Sequence, residues 1–593
     1  MAENARELSN VLLSGNEAIA RGAWEAGARL GCGYPGTPSS EILPALVELG
    51  DVYCEWSVNE KVALEVAAGA SVAGARCLVT MKHVGVNVAA DPLFTMSYTG
   101  VEGGIVAISA DDPSMHSSQN EQDNRNYARA AKVPMLEPAD SQEARDHTMR
   151  AFDLSEEFDT PVFVRPVTRI CHSDGLVEVG ERQVVELRGE LAKQPEKFVM
   201  VPAYARKRRV TMAERTEALI EFAETSDLNR EEMGDESLGI IAAGVAYQYA
   251  KEAFPEASFL KLGMVWPLPP ERIRQFASKV DRLVVVEELD PFLTEQILAL
   301  GIQVEPLDDS FRIGELTPQR VREMIGGETM PQATPDADLP PRPPTLCAGC
   351  PHRSVFVALR KLKAFVTGDI GCYTLGTLPP LQALHTCLCM GAGINEAHGI
   401  QKVRGHEAPV VAVIGDSTFT HSGITGLVNT AYNAGVSTVL ILDNRTTAMT
   451  GGQVHPGIGV TLSGLPGREL DFEKLSLAIG IDDVRVVDPY DMAQTEQAIR
   501  EAMANPQPSV VIARRACVLE VRDRGPAPVL DEEKCIHCGL CIRIGCPALF
   551  DAAGEGEKTL PQIDPVLCNG CTMCAQVCPV DALVVPDAGE GDA

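Results

Sequence analysis

The sequence predicts a multidomain α/β protein that closes on a small cysteine-rich module. Three observations carry that expectation. The chain has 593 residues, enough for several buried cores. Residues 409 to 444 read as a buried strand, a helix and a second buried strand. Eight of the 18 cysteines fall into two matched runs, 535 to 547 and 568 to 579.

The elements follow in chain order. Residues 1–185 read as a first α/β domain, in which "NEKVALEVAAGA" is a small-residue amphipathic helix opened by Asn-Glu. Residues 186–234 are a charged connector with helices. In 235–330, "LGIIAAGVAYQYA" and "DRLVVVEEL" give a further α/β domain. A Pro-rich linker, 331–345, leads into a second large α/β domain over 346–522. There "PVVAVIGDS" is a β-branched run ending in a tight turn, "GITGLVNTAYNAG" has helical spacing and a Gly stop, and "STVLILDN" is the next strand. Polar residues therefore stand at both strand C-termini, where open α/β sheets bind ligands. The module spans 525–590.

Composition narrows the function. Hydrophobic residues make up 45% and charged residues 22%, an ordinary globular mixture. No apolar run approaches the roughly 18–20 residues of a membrane span. A net charge of −31 disfavours nucleic acid and anionic membranes as partners. The opening "MAENARELSN" has neither the basic nor the apolar stretch of a secretory signal. A cytoplasmic location is expected, and disulfides are not.

The second cysteine run is C-x2-C-x2-C-x3-C-P, the bacterial ferredoxin spacing for a [4Fe-4S] cluster. The first has one extra residue before its last cysteine. Three close thiolates clasp a cubane, and the fourth cysteine of each run is carried by its Cys-Pro turn to the other cluster. One cluster is thus expected on Cys535, Cys538, Cys541 and Cys578, the other on Cys568, Cys571, Cys574 and Cys546. Zinc, which also takes paired CxxC ligands, fits two matched Cys-Pro runs poorly.

Gly415, Asp416 and Ser417, followed by Asn444, resemble the thiamin-diphosphate signature Gly-Asp-Gly with a later Asn, Ser417 replacing the last Gly. A diphosphate needs a hard divalent ion such as Mg²⁺ with oxygen ligands. Asp416, Asn444 and the Thr446 carbonyl are the candidates; a generic nucleotide-binding crossover is the alternative. A thiamin enzyme also needs a buried Glu from another α/β domain to activate the aminopyrimidine. Glu60 is the candidate, with Glu55 and Glu65 competing and Glu65 the better fit to a solvated face.

"YPGTPSSEI", "NEKVALEVAAGAS", "MKHVGVNVAADPL", "MHSSQNEQDNR", "LCAGCPHR" and "GDSTFTHSG" occur in that order. Together they resemble the 2-oxoacid:ferredoxin oxidoreductases, and within them the large α subunit of the indolepyruvate type. The resemblance implies that 1–185 binds the pyrimidine, that 346–522 binds the diphosphate and that 235–330 is like a transketolase C-terminal domain. It implies oxidative decarboxylation of an aryl 2-oxoacid with CoA, ferredoxin as acceptor, a small β subunit and an (αβ)2 heterotetramer. Another 2-oxoacid, or a non-oxidative decarboxylase carrying accessory clusters, is the alternative.

The wider family adds one further candidate site, and residue chemistry adds others. Cys347, Cys350, Cys372 and Cys517 stand where wider relatives hold a proximal third [4Fe-4S] cluster; plain structural thiols are the alternative. Thr37 and His83 are candidates to face substrate and thiazolium. Cys350 and Gly391 are candidates to face the diphosphate, Arg353 to pair with it as a guanidinium, His352 and His421 to face the diphosphate or the reaction centre, and His116, Gln119 and Arg125 to bind an acid. Cys387 and Cys389 are expected as core thiols.

Overall fold

The architecture is that of a computed structural model, which describes residues 9–187, 191, 193–327, 343–405, 408–521, 524–554 and 558–586. The chain divides into two compact units, Met1–Pro335 and Asp336–Ala593. Most of the Pro-rich linker lies outside the described residues. Among the described residues no helix is long and apolar enough to cross a membrane.

The first unit is built on a seven-stranded sheet. Its order is Met264–Trp266, Met135–Leu136, Val162–Val164, Ile105–Ala110, Cys77–Lys82, Leu30–Gly33 and Tyr53–Trp56. All neighbours run parallel except Met264–Trp266, which is antiparallel to Met135–Leu136. That strand comes from the segment expected to form a separate domain, so the sheet crosses the expected boundary. Helices cover both faces, which is why Ile105–Ala110 is buried along its whole length and reads as an unbroken apolar run. A four-stranded sheet, Leu283–Val286, Asp235–Ala243, Ala257–Leu262 and Arg230–Glu232, and an antiparallel pair, Ser9–Ser14 with Asp174–Val179, complete the sheets of the unit. Apolar side chains of both sheets share one core, from Val79 and Phe163 to Leu260 and Phe276. Each fully buried side chain of that size contributes about 1.5–3 kcal/mol.

The second unit holds six parallel strands in the order Thr386–Cys387, Phe365–Gly368, Val410–Gly415, Thr438–Asp443, Ser509–Arg514 and Asp483–Val487. The cysteine module follows in the same unit. Two short antiparallel ribbons frame it, Val529–Leu530 with Leu583–Val584 and Leu549–Asp551 with Pro561–Ile563. Its small core includes Ile544, Leu549, Met573 and Leu583, with Val357 and Tyr490 of the preceding domain packed against it.

Candidate functional site

Strand ends position the candidate residues in both units. In the first unit Leu30–Gly33, Tyr53–Trp56 and Cys77–Lys82 are neighbours. Thr37, Glu60 and His83 follow their C-terminal ends, so parallel topology gathers them at one edge of the sheet. Asn59 caps the helix Glu60–Val72 by accepting from the Val62 amide at 2.9 Å, and Glu60 sits in the first turn, where the helix dipole favours a carboxylate. Glu60 is buried. A Cβ at Gly85, in the facing helix His83–Thr99, would lie 2.6 Å from Glu60 Oε1, so the carboxylate rests on that glycine. Glu55 instead accepts from the Tyr53 and Ser57 hydroxyls, each at 2.9 Å. Glu65 is exposed and pairs with Lys61, a solvated face.

His83 is fully buried; its Nε2 lies 3.2 Å from the Asn120 carbonyl and its Nδ1 has no partner among the described residues. Burial pushes its pKa down, favouring the neutral ring. The Thr37 carbonyl accepts from Ser117 Oγ at 3.4 Å. Arg125 is not an acid binder: its buried guanidinium is spent on Asp123 and on Glu287 at 2.9 Å. His116 lies against Glu315.

In the second unit Asp369, Asp416, Asn444 and Cys517 follow the C-terminal ends of four neighbouring strands. Asp416 accepts from the Ser417 and Arg445 amides, both at 2.8 Å. The terminal atom of the Asn444 amide that faces it lies 3.2 and 3.3 Å from the two Asp416 carboxylate oxygens and 2.9 Å from the Thr446 carbonyl. As nitrogen, that atom donates to all three. As oxygen, it completes an all-acceptor cluster spaced like neighbouring ligands of an octahedral Mg²⁺, about 3 Å apart. Buried Thr446 Oγ1 and Asp443 Oδ1, on the same strand end, have no partner among the described residues. The residues therefore fit a Mg²⁺-bound diphosphate. Ser417 accepts from the Thr447 hydroxyl at 2.9 Å.

Sequence reasoning missed two neighbours. His455 Nε2 lies 3.1 Å from Asp416 Oδ2, though not aligned as a hydrogen bond. It is a lone histidine in a loop and left no pattern to read. Asp369 accepts from the Ile370 and Gly391 amides at 2.9 Å and from Gly393 at 3.2 Å, anchoring the Gly-rich helix start. Its place after a parallel strand was a usable signal. Burial raises its pKa to about 7. Gly391 caps the helix Ala392–Arg404 with φ 87°. His352 is buried, and burial pushes its pKa down to about 4 against the opposing charge of Asp416. His421 Nδ1 meets Ser422 Oγ at 2.6 Å.

Cys347, Cys350, Cys372 and Cys517 lie near enough to influence one another electrostatically, and Cys517 is near enough to feel Asp416. Burial pushes Cys350 up to about 12 and Cys372 to about 11. Neighbouring thiols add to both: Cys347 and Cys372 act on Cys350, and Cys517 and Cys347 act on Cys372. The Cys517 amide donates to the Asn444 carbonyl at 2.9 Å, joining the thiols to the oxygen cluster. Cys387 and Cys389, expected in the core, are exposed at the start of that Gly-rich segment.

In the module, Cys535, Cys538, Cys541 and Cys578 line one cavity and Cys546, Cys568, Cys571 and Cys574 line another. The fourth cysteine of each run has crossed to the other set. Each thiol set lines a cavity, the arrangement a cubane cluster requires. Gly349, between Cys347 and Cys350, also lines the second cavity. A Cβ there would meet the Asn569 side chain at 2.0 Å, so only glycine allows this approach.

The expectation for Arg353 needs correction. Its two terminal nitrogens are taken up by four main-chain carbonyls rather than left for a diphosphate, while its buried Nε has no partner among the described residues. The terminal nitrogens donate to Ile544 at 2.9 Å and Gly545 at 2.5 Å in the module, and to Leu346 at 2.7 Å and Cys347 at 3.1 Å in the CxxC loop. Arg353 is thus a buried clamp between the loop and the module.

Comparison with known proteins agrees with this chemistry. The family "Pyruvate flavodoxin/ferredoxin oxidoreductase, thiamine diP-bdg" matches residues 21–233. "Thiamine pyrophosphate enzyme, C-terminal TPP binding domain" matches 369–513, and "4Fe-4S dicluster domain" matches 534–582. Indolepyruvate oxidoreductase subunit IorA of Archaeoglobus fulgidus is 42% identical, covering 97% of this chain and 98% of its own. The IorA subunit of Methanothermobacter marburgensis is also 42% identical, covering 97% of each chain. The 2-oxoglutarate synthase subunit KorA of Methanothermobacter thermautotrophicus is 26% identical over 46% of this chain and 86% of its own. The chain belongs to the thiamin-dependent 2-oxoacid:ferredoxin oxidoreductases with iron–sulfur clusters, in the family of the indolepyruvate oxidoreductase IorA subunits.

Proposed function

We propose that this chain is the large subunit of an enzyme that oxidises aryl 2-oxoacids of the indolepyruvate and phenylpyruvate type. The 2-oxoacid and CoA give acyl-CoA, CO₂, one proton and two electrons, and the electrons reduce ferredoxin. The observation that carries the substrate reading is 42% identity over nearly the whole chain to two subunits named for indolepyruvate.

Bound thiamin diphosphate would supply the electron sink for decarboxylation. Asp416, Asn444 and the Thr446 carbonyl would hold its Mg²⁺, with Gly415, Ser417, Gly391 and His352 lining the diphosphate. Buried Glu60 would fix the proton on the aminopyrimidine, and Thr37 and His83 would face the substrate. The mutual electrostatic influence of Cys347, Cys350, Cys372 and Cys517, with Cys517 near enough to feel Asp416, supports a proximal [4Fe-4S] cluster, the first of three. The crossed thiol sets support the other two. A small β subunit of about 200 residues, a single-domain size, would complete an (αβ)2 heterotetramer in the cytoplasm.

The test is an anaerobic assay of the complex with indolepyruvate, phenylpyruvate, pyruvate and 2-oxoglutarate, each with CoA. Aryl acids should give the highest kcat/KM for viologen reduction, with acyl-CoA as product. Preference for pyruvate or 2-oxoglutarate would reject the substrate reading. Aldehyde release without dye reduction would favour a non-oxidative decarboxylase.

A further inference from the structure

The second unit carries a basic groove between the helix His352–Lys361 and the cysteine module. Arg360, Lys361, Lys363 and Arg543 line it, and Glu496 is the one acid in its wall. Lys361, Lys363 and Arg543 are exposed, and Arg360 is half-buried. Of the four cations only Lys361 has a carboxylate partner among the described residues, Glu496 at 2.6 Å, and Arg500 contacts the same carboxylate. The groove is therefore positive on a chain whose net charge is −31.

Its floor reaches both thiol cavities. Leu540 lines the groove and also the cavity of Cys535, Cys538, Cys541 and Cys578. Ile544 lines the groove and also the cavity of Cys546, Cys568, Cys571 and Cys574. Leu540 is 40% exposed, an apolar spot directly over the first cavity. Electron transfer between proteins falls steeply with distance, so a carrier must seat against such a spot. Most of an acidic surface repels an acidic carrier, and a positive concavity beside the exit steers it into register. Redox encounters are satisfied by small interfaces, so a groove of this extent suffices.

We propose that this groove is the docking surface for a small acidic one-electron carrier of the ferredoxin kind, with Lys363 and Arg543 steering and Leu540 at the point of electron exit. The proposal rests on the reading that ferredoxin is the acceptor.

The test uses the complete complex carrying Lys363→Glu and Arg543→Glu together, with an acidic [4Fe-4S] ferredoxin and methyl viologen as alternative acceptors. At low ionic strength KM for ferredoxin should rise about tenfold, and the difference should shrink toward wild type at high salt. Viologen reduction should be unchanged. An unchanged KM and salt dependence would overturn the docking surface. So would loss of the partner subunit on gel filtration, which would mean that the groove is a subunit interface. If the charge reversals damage the clusters and viologen reduction falls, Lys363→Gln with Arg543→Gln must still raise KM two- to threefold, and no rise there overturns the proposal. Wild type that reduces viologen but no ferredoxin would refute the acceptor reading itself, and the groove's role with it.

Discussion

Replacing Gly85 with alanine should slow the enzyme by about a hundredfold without unfolding it. The new Cβ would lie 2.6 Å from Glu60 Oε1, 2.8 Å from Cγ and 2.9 Å from Cδ, where ordinary contact begins at 3.4 Å. The carboxylate must therefore move by about 0.8 Å or more. All three atoms belong to one flexible side chain, so the backbone need not shift. An off-rotamer Glu60 costs about 0.5–1.5 kcal/mol. Alanine in place of glycine within the helix His83–Thr99 returns about 0.5–1 kcal/mol. The two nearly cancel, so the melting temperature should stay within a few degrees of wild type. A misplacement of about 1 Å costs on the order of 10²-fold in rate. Turnover would be followed anaerobically by viologen reduction, with thiamin content measured on the same sample. Glu60→Gln should lose about 10²–10⁴-fold, and adding Gly85→Ala to it should cost little more, because both act on one group. A folded, thiamin-loaded Gly85→Ala protein turning over within twofold of wild type would refute the role given to Glu60.

Asp416→Ala should abolish Mg²⁺-dependent thiamin diphosphate binding, read by calorimetry, while the visible absorbance of the C-terminal clusters persists. Arg353→Met takes the guanidinium donors away from the carbonyls of Leu346, Cys347, Ile544 and Gly545, of which Cys347 keeps the Cys350 amide, at about 1–3 kcal/mol for each buried acceptor left unsatisfied; the cluster absorbance should be lost at a lower urea concentration than the far-UV signal. Burial, and then Lys261, pushes His147 down to about 3. The unfolded chain protonates it near 6.5, so the folded state binds fewer protons, and stability is full above pH 6.5 and falls toward pH 3. Urea melts at pH 7 and pH 5 should show that loss, and His147→Gln should reduce it.

The strand–turn–helix grammar was legible because both cofactor domains bury their sheets on both faces, so strands such as Val410–Gly415 read as unbroken apolar runs. The crossed cysteine sets were legible because ferredoxin spacing is nearly a geometric code. Three kinds of feature were not. Met264–Trp266 joins the sheet of the preceding domain through three residues, too short for any periodicity. His455 approaches Asp416 through the path of a loop, which no local pattern records. Arg353 carries the chemistry of a phosphate ligand, and only its four carbonyl partners reveal a clamp. Exposure of Cys387 and Cys389 was misread for a related reason: thiols are usually buried, and the sequence could not tell that this segment runs along a surface.

The most direct test of electron flow from a thiamin site through the proximal thiols is the iron content of the fully loaded anaerobic protein beside that of Cys372→Ala. Three cubanes require about twelve irons in wild type, and the variant should hold about eight. The variant's C-terminal pair should still give its reduced EPR signals with dithionite but not with 2-oxoacid and CoA. Eight irons in wild type, with a Cys372→Ala protein that still reduces ferredoxin at the wild-type rate, would contradict it.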